Sequence, residues 1–282
     1  MALRRGAGSL QRRFAYRRAR SSVANRPRHS STAIVVHAYY PEEALAIRDR
    51  IRAVAPTLDT VVTVPDHSPA AAAGGWERSW PEAGLVRVPN RGRDVLPFLQ
   101  IAPELRRLGY TGVLKLHTKR SLHTADGRHW FNDSLSKLLP TPAQVATVTA
   151  LLADPRTGVV GPIGYYHPLW VAFAENRTAV GEVLARVRPP LPEGGLDGDA
   201  FGFFGGTMFW ARLDAFTALD RLRPDDFPPE RGQINGTAAH ACERLFCLLP
   251  AWQGRTLYTL GPAGATVSPL AGVDVPVWAQ RD

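Results

Sequence analysis

The sequence predicts an α/β protein with a three-layer architecture, in which helices cover both faces of a mostly parallel central sheet. Two observations lead to this prediction. Short apolar runs typical of buried strands alternate with helical segments along the chain. In addition, 45% of the 282 residues are hydrophobic, which suffices for one sizeable core. The sequence shows no internal repeat and no apolar run of about 18 residues, the length that predicts a membrane-spanning helix.

The first half of the chain alternates strands with helices. One helix begins at Pro41 and stops before Pro56, because proline is tolerated in a first turn but cannot continue a helix. A second helix begins at about Asp94, with Pro97 in its first turn. The strands predicted in this half are AIVVHAYY (33–40), TVVTVP (60–65), LVRVPN (85–90) and GVLKLHTK (112–119).

The second half has longer irregular connections. Residues 165–200 are rich in Pro and Gly and are predicted to lack regular structure. The strands predicted here are GVVGPIG (158–164), FGFFGGTMFWAR (201–212) and TLYTL (256–260). The helices predicted here are 130–139, 142–154, 213–222 and 238–249.

The formal net charge of +9 lies entirely at the beginning of the chain. Residues 1–30 hold nine of the 34 basic residues and no acid, which leaves 25 basic against 25 acidic residues in the remainder. We expect residues 1–31 to be a disordered Arg-rich leader and 32–282 to form a single domain. The leader has three interpretations: a solvated tail, a contact with anionic membrane lipid, or an organellar transit peptide. The neutral body argues against nucleic-acid binding.

The two cysteines, Cys242 and Cys247, are five residues apart on a predicted helix and therefore lie on different faces. This spacing predicts neither a disulfide framework nor a cysteine-based zinc site. We expect a cytoplasmic protein. Peripheral contact with the inner face of the cell membrane, through residues 1–30, is the alternative that the leader leaves open.

Three motifs follow predicted strands, namely NRGRD, HTKRS and GPIG. Ligands of open parallel sheets bind outside the carboxyl ends of the strands, so these motifs are predicted to meet at one rim. In KLHTK, the side chains of Lys115, His117 and Lys119 share one face of a strand. A row of such groups suits a diphosphate, and a salt bridge to a sheet neighbour is the alternative. Only three lysines occur among the 34 basic residues, and two of them lie here.

Other candidate residues surround this motif. Gly92 allows a close backbone approach, and Asp94 is either a helix N-cap, a ligand for a sugar hydroxyl, or a partner that holds Lys115. Two glycines between aromatic residues in FFGGTMFW suit a ligand wall or simple sheet packing. His240 and Glu243 share a helix face, so either is a candidate general base, with a structural pair as the alternative.

No acidic pair follows the KLHTK strand, where a hard divalent cation would need carboxylate oxygens. Asp197 with Asp199, and Asp225 with Asp226, lie in predicted loops and are weak metal candidates. We therefore expect no cofactor and a metal-independent diphosphate site, although the sequence leaves a divalent cation open.

Taken in order, VPNRGRDVLPFL, GVLKLHTKRS, the Trp130 helix, GPIG, GGTMFWAR and HACERLF resemble the rhamnan synthesis protein F family. The resemblance runs from about residue 33 to residue 262 and leaves the leader outside. It implies a GT-A-like fold and a glycosyltransferase that moves a sugar, with rhamnose from dTDP-rhamnose as the candidate, to a cell-surface polysaccharide or lipopolysaccharide. The implied partners are a nucleotide-sugar donor and a glycan or lipid-linked acceptor.

The same resemblance implies roles for individual residues. It places the nucleotide or donor sugar at Asn90, Gly92 and Asp94, the diphosphate at Lys115, His117 and Lys119, the sugar pocket at Gly205, Gly206 and Thr207, and the base at Glu243 or His240. Two departures stand against it: KLHTK replaces the aspartate-rich metal motif of many GT-A enzymes, and ERL stands where a Glu-Asp pair often occurs. A non-catalytic glycan-binding or assembly module of the same fold is the alternative function.

Overall fold

The computed structural model describes residues 28–120, 127–171, 173–189 and 201–270. Most of the predicted leader, and the loop that carries Asp197 and Asp199, lie outside the described residues. The last residues of the predicted leader contact the domain: Arg28 Nη1 donates to Gly109 O at 2.7 Å, and His29 Nδ1 lies 2.8 Å from Asp59 Oδ1. Within the described ranges, none of the helices combines the length and the apolar character that a bilayer crossing requires.

The described residues form strands and helices in alternation. The strands are β1 (Thr32–His37), β2 (Asp59–Pro65), β3 (Gly84–Val88), β4 (Gly112–His117), β5 (Thr157–Pro162), β6 (Tyr166–Pro168), β7 (Gly202–Phe204), β8 (Phe209–Arg212), β9 (Thr256–Leu260) and β10 (Ser268–Pro269). The α-helices are α1 (Pro41–Val54), α2 (Pro69–Ala73), α3 (Trp76–Ser79), α4 (Val95–Arg107), α5 (Gly127–Leu138), α6 (Pro142–Leu151), α7 (Arg177–Val187) and α8 (Ala238–Trp252). Short 3₁₀ helices cover Ala174–Asn176, Leu213–Arg221 and Pro224–Asp226.

The main sheet has eight strands in the order β10-β9-β5-β8-β4-β1-β2-β3. Its strands are parallel except for β8, which is antiparallel to β4 and β5, and β10, which is antiparallel to β9. The predicted α/β class with a mostly parallel sheet is therefore confirmed. In the register of β1 and β4, His37 lies opposite His117, so both strands end at the same rim.

Two hydrophobic cores cover the two faces of this sheet, which gives the predicted three layers. Alternate residues of β1 enter opposite cores: Ala33 and Val35 pack with α4, α7 and α8, whereas Ile34 and Val36 pack with α1, α5 and α6. In α8 both cysteines are buried and unpaired.

The structure corrects two predictions of local structure. Residues 201–212 are not one strand: β7 pairs with β6 in a separate two-stranded sheet, and β8 enters the main sheet after a turn. That turn has positive φ at Gly206 (81°) and at Thr207 (55°), which a continuous strand excludes. Residues 165–200, predicted to be irregular, contain helix α7.

Candidate active site

A cleft of about 600 Å³ opens at the carboxyl ends of β1 and β4. The loop before α4, the turn between β7 and β8, and the first turns of α8 form its walls. A larger concavity of about 1040 Å³ lies beside α7 and contains none of the predicted site residues. The predicted residues that line the smaller cleft are Asn90, Asp94, His117, Lys119, Gly206, Thr207, His240 and Glu243.

Lys115 does not reach this cleft, and its predicted direct contact with a diphosphate is corrected. The side chain is only 1% exposed. Its ammonium donates to Asp94 Oδ2, to Thr207 O at 2.8 Å and to Thr207 Oγ1 at 3.0 Å, which uses all three of its donors. The alternative in which Asp94 holds Lys115 is the one observed, and Asp94 makes no side-chain N-cap bond to α4.

The pair of Lys115 and Asp94 connects three parts of the chain beneath the cleft. Burial lowers the pKa of Lys115, and the Asp94 carboxylate opposes that shift. Burial alone would raise the pKa of Asp94, but the Lys115 charge and the bonds from Lys115 and Thr207 hold this pKa well below its ordinary value. The ammonium is enclosed by the rings of Phe98, Phe209 and Phe246, at 5.7–5.8 Å from their centres. We infer a charged, structural ion pair.

His117 lines the cleft as a neutral side chain. Burial lowers its pKa to about 3, against the opposing effect of Asp94, so it carries no positive charge at neutral pH. Its Nδ1 is buried without a hydrogen-bond partner and lies 3.6 Å from Asp94 Oδ2. The predicted row of three cations therefore reduces to Lys119 at the cleft, with His117 as a neutral polar group.

Three buried histidines should make the protein less stable in mild acid. Burial lowers the pKa of His37 and His240 to about 4 and that of His117 to about 3, against 6.5 for an ordinary histidine. In the unfolded chain these histidines bind protons below about pH 6.5, whereas in the folded protein they stay neutral down to about pH 4. The free energy of unfolding therefore falls as pH decreases through this window. We expect a slope of at least one proton, about 1.4 kcal/mol per pH unit. Urea unfolding between pH 7 and pH 5 measures it.

In that experiment His37→Asn should reduce the slope, because it removes one of the groups that only the unfolded state protonates. The asparagine amide can still bond to Thr63 Oγ1, which lies 2.9 Å from His37 Nδ1 in the wild type. A free energy of unfolding that is constant from pH 7 to pH 5 would contradict the neutral state assigned to these side chains.

Lys119 supplies an accessible cation at the end of β4. Among the described residues no carboxylate or carbonyl bonds to its ammonium, and its Nζ lies over the Trp130 ring, 4.2 Å from the ring centre. Burial lowers its pKa, while Glu243 and Asp94 oppose that shift. A cation held by an aromatic face keeps its charge for another anion, and such a contact is worth about 0.5–2 kcal/mol.

Arg93 is a cleft residue that the sequence analysis missed. It follows Gly92, both residues have positive φ (54° and 64°), and this turn directs the Arg93 side chain to the cleft. The guanidinium donates to Gln233 O and lies 3.5 Å from Glu230 Oε1. Gly92 was the signal that could have identified it, because a glycine before a helix often marks a turn with positive φ, and such a turn changes where the next side chain points.

Gly92 and the two glycines of the predicted ligand wall, Gly205 and Gly206, are covered by protein side chains. A Cβ at Gly92 would lie 2.8 Å from Phe227, one at Gly205 would lie 2.7 Å from His167, and one at Gly206 would lie 2.2 Å from Trp130. Gly206 still lines the cleft, whereas Gly92 and Gly205 do not. The close approach that these glycines permit is thus an approach of protein side chains.

His240 and Glu243 both line the cleft, as their helical spacing predicted, but their surroundings differ. His240 Nδ1 lies 2.8 Å from Thr237 Oγ1, and its Nε2 is buried without a hydrogen-bond partner in the described structure. Glu243 accepts bonds with both oxygens, from Gly206 N at 2.8 Å and from Arg244 Nη1 at 2.6 Å. Of these two side chains, only His240 keeps a potential proton acceptor, Nε2, that forms no hydrogen bond in the described structure.

Each carboxylate that lines the cleft in the described part of the chain is engaged by a basic group. Asp94 binds Lys115, Glu230 contacts Arg93, and Glu243 binds Arg244. Within the described residues, no three His, Cys, Asp or Glu side chains are grouped as metal ligands. Asp225 and Asp226 form ion pairs with Arg91 and Arg186.

Comparison with known proteins agrees with the arrangement of motifs. The family model described as rhamnan synthesis protein F matches residues 14–255, so the match begins inside the leader that the sequence analysis left outside the family. The WxcX proteins of two Xanthomonas campestris pv. campestris strains, B100 and ATCC 33913, are named as uncharacterized and are each 33% identical over 244 residues. That alignment covers 86% of this chain and 34% of the relative, so the chain spans about a third of the length of these curated relatives. The chain belongs to the rhamnan synthesis protein F family, whose name refers to polysaccharide synthesis.

Proposed function

We propose that the protein is a glycosyltransferase with a GT-A-like fold that transfers a sugar from a nucleotide-sugar donor to a growing polysaccharide or lipopolysaccharide. One observation carries the proposal. Lys119, a cation without an ionic partner among the described residues, lies in a cleft at the carboxyl ends of parallel strands. The same cleft is lined by His240, a neutral histidine whose Nε2 forms no hydrogen bond in the described structure. Family membership supports a role in polysaccharide synthesis.

Lys119 and Arg93 would bind the diphosphate of the donor. As the bond between the anomeric carbon and the diphosphate oxygen breaks, its electron pair leaves with the diphosphate, and negative charge grows there. Positive groups fixed at that point stabilise the transition state more than the bound donor. His117 would contribute a polar contact without charge, since its pKa is about 3. Lys115 would act indirectly, by holding Asp94 and Thr207 beneath the cleft.

His240 would be the general base for the acceptor hydroxyl. It is neutral at pH 7 because burial lowers its pKa to about 4, and its Nε2 can accept the proton as the new C–O bond forms. Glu243, the other candidate, would hold the Gly206 backbone N–H and so fix the turn that forms the sugar pocket with Thr207. Asn90 and the loop that contains Gly92 and Asp94 would lie near the nucleotide or donor sugar.

The proposal needs no metal, because the described carboxylates at the cleft are bound to basic groups and Lys119 supplies the positive charge that meets the diphosphate. Rhamnose is the proposed donor sugar, by the family name. The acceptor would be a glycan or a lipid-linked glycan. Residues 1–30 would contact anionic lipid at the inner face of the cell membrane.

Incubation of the purified protein with a panel of nucleotide sugars tests this function. We expect release of the nucleoside diphosphate from one donor, with dTDP-rhamnose as the first candidate. The rate of release should be the same with and without EDTA. His240→Gln should lower kcat by about 100-fold or more, because it removes the base and leaves the donor site in place. Glu243→Gln should keep most of the wild-type rate, because the amide oxygen still accepts the bond from the Gly206 N–H and Glu243 is not the assigned base.

Three outcomes would contradict the proposal. Full turnover in His240→Gln would remove the assigned base, and loss of all turnover in EDTA would remove the metal-independent site. If the protein binds a polysaccharide but releases no nucleotide from any donor, it is a glycan-binding module and the catalytic proposal fails.

A further inference from the structure

The ammonium of Lys119 lies against an aromatic ring and, among the described residues, has no carboxylate partner. Its Nζ lies 4.2 Å from the centre of the Trp130 ring, and within the described part of the chain nothing else bonds to it. The face of an aromatic ring attracts a cation without neutralising it. A carboxylate in the same place would compete with any phosphate for this charge.

Trp130 is itself fixed from two other directions. Its ring touches Gly206 so closely that a Cβ there would lie 2.2 Å from the indole. Tyr165 meets it edge-on, with ring centres 5.6 Å apart, and the Tyr165 hydroxyl donates to Asp133 at 2.7 Å. The indole therefore stands between the end of β4 and the turn whose Gly206 N–H is bound by Glu243.

We propose that Trp130 is a positioning residue of the diphosphate site, whose indole face holds the Lys119 ammonium charged and unpaired at the place where a phosphate oxygen binds. This inference rests on the proposed function. Trp130 touches neither the reacting atoms nor the phosphate in this account; it acts through Lys119.

Several charged groups face Lys119 and decide how its charge depends on pH. Burial favours the neutral amine and lowers the pKa of Lys119. Glu243 from α8 and Asp94 from the loop before α4 raise this pKa, and Arg93 from the same loop lowers it. The indole favours the charged form, so an aliphatic side chain in its place should let the lysine lose its proton at a lower pH.

The small number of lysines makes this measurable in the full chain. Protein labelled with ¹³C at the lysine ε-carbon gives three NMR signals, one each for Lys115, Lys119 and Lys137. The signal that is lost in Lys119→Arg is that of Lys119. In Trp130→Leu we expect the Lys119 signal to lose the ring-current shift of the indole and to titrate about half a pH unit lower. UDP and dTDP should bind at least fivefold more weakly. Trp130→Phe, which retains a ring, should keep most of both properties.

An unchanged Lys119 titration together with unchanged nucleotide affinity in Trp130→Leu would overturn the inference. The Lys115 signal, which belongs to an ammonium enclosed by three phenylalanine rings, shows whether the variant keeps its native fold. If the wild-type protein binds neither UDP nor dTDP, the proposed function fails, and the phosphate role of Trp130 fails with it. In that case, a ring-current shift of the Lys119 signal would show that Lys119 still lies over Trp130, so that the failure concerns nucleotide binding and not the position of the lysine.

Discussion

Asp94→Asn is expected to lower the free energy of unfolding by about 3–5 kcal/mol, because it leaves the buried Lys115 ammonium without a counter-charge. Lys115 is 1% exposed and surrounded by phenylalanine rings, so water cannot replace the lost carboxylate. The substitution changes the shape of the side chain little, which makes the loss of charge the main effect. Urea denaturation at pH 7 measures the change.

The double variant Asp94→Asn/Lys115→Met separates this effect from a general loss of packing. It removes both charges, and we expect it to be more stable than Asp94→Asn alone. Glu82→Gln is the matched control, since its partner Arg52 is 44% exposed and such pairs contribute about 0–1 kcal/mol. Equal effects of Asp94→Asn and Glu82→Gln would show that the buried pair is not a structural ion pair.

Lys119→Ala is expected to lower kcat for sugar transfer by about 100-fold, because it removes the charge that stabilises the departing diphosphate. Lys119→Arg should recover part of the rate, since a guanidinium also binds phosphate but is larger than the ammonium that fits over Trp130. In the wild type, the rate should decline at alkaline pH earlier than for an ordinary lysine, because burial lowers the pKa of Lys119. Initial rates with the donor identified from the panel measure these effects.

Lys137→Ala is the matched control for this prediction. Lys137 also lies over an aromatic ring, that of Tyr165 at 4.9 Å, but it pairs with Asp133 and does not line the cleft. It should retain the wild-type rate. If Lys119→Ala retained it as well, the cation at the end of β4 would have no part in catalysis.

Much of the fold could be predicted because its signals are local. Apolar runs such as AIVVHAYY specify strands, prolines mark helix starts, and their alternation predicts a mostly parallel sheet. The strand at β8 was predicted but its antiparallel direction was not, since direction depends on which strands it joins in the sheet, here β4 and β5. The two strands within 201–212 were read as one because the apolar pattern continues through the turn at Gly206 and Thr207.

The sequence predicted that most of the candidate residues meet at one rim, but it did not predict the charge and hydrogen bonding of each side chain. Strand ends identified the rim, and helical spacing placed His240 with Glu243. Lys115 can contact either a bound phosphate or Asp94, depending on how deep the cleft is. The alternation of side chains along a strand shows which face a residue is on but not the depth of the cleft.

The three lysines share a feature that the sequence did not show. Each of the three ammonium groups lies over aromatic rings, namely those of Phe98, Phe209 and Phe246, of Trp130, and of Tyr165. The lysine pattern therefore marked both a buried structural charge and the cation of the cleft.

Calorimetric titration of the purified protein with UDP and with dTDP, in EDTA, tests the central claim most directly. The account predicts one-to-one binding of at least one of these nucleotides in wild-type protein and in Lys137→Ala, and at least tenfold weaker binding in Lys119→Ala. Equal affinity in Lys119→Ala and wild type, or no binding of either nucleotide by the wild type, would contradict it.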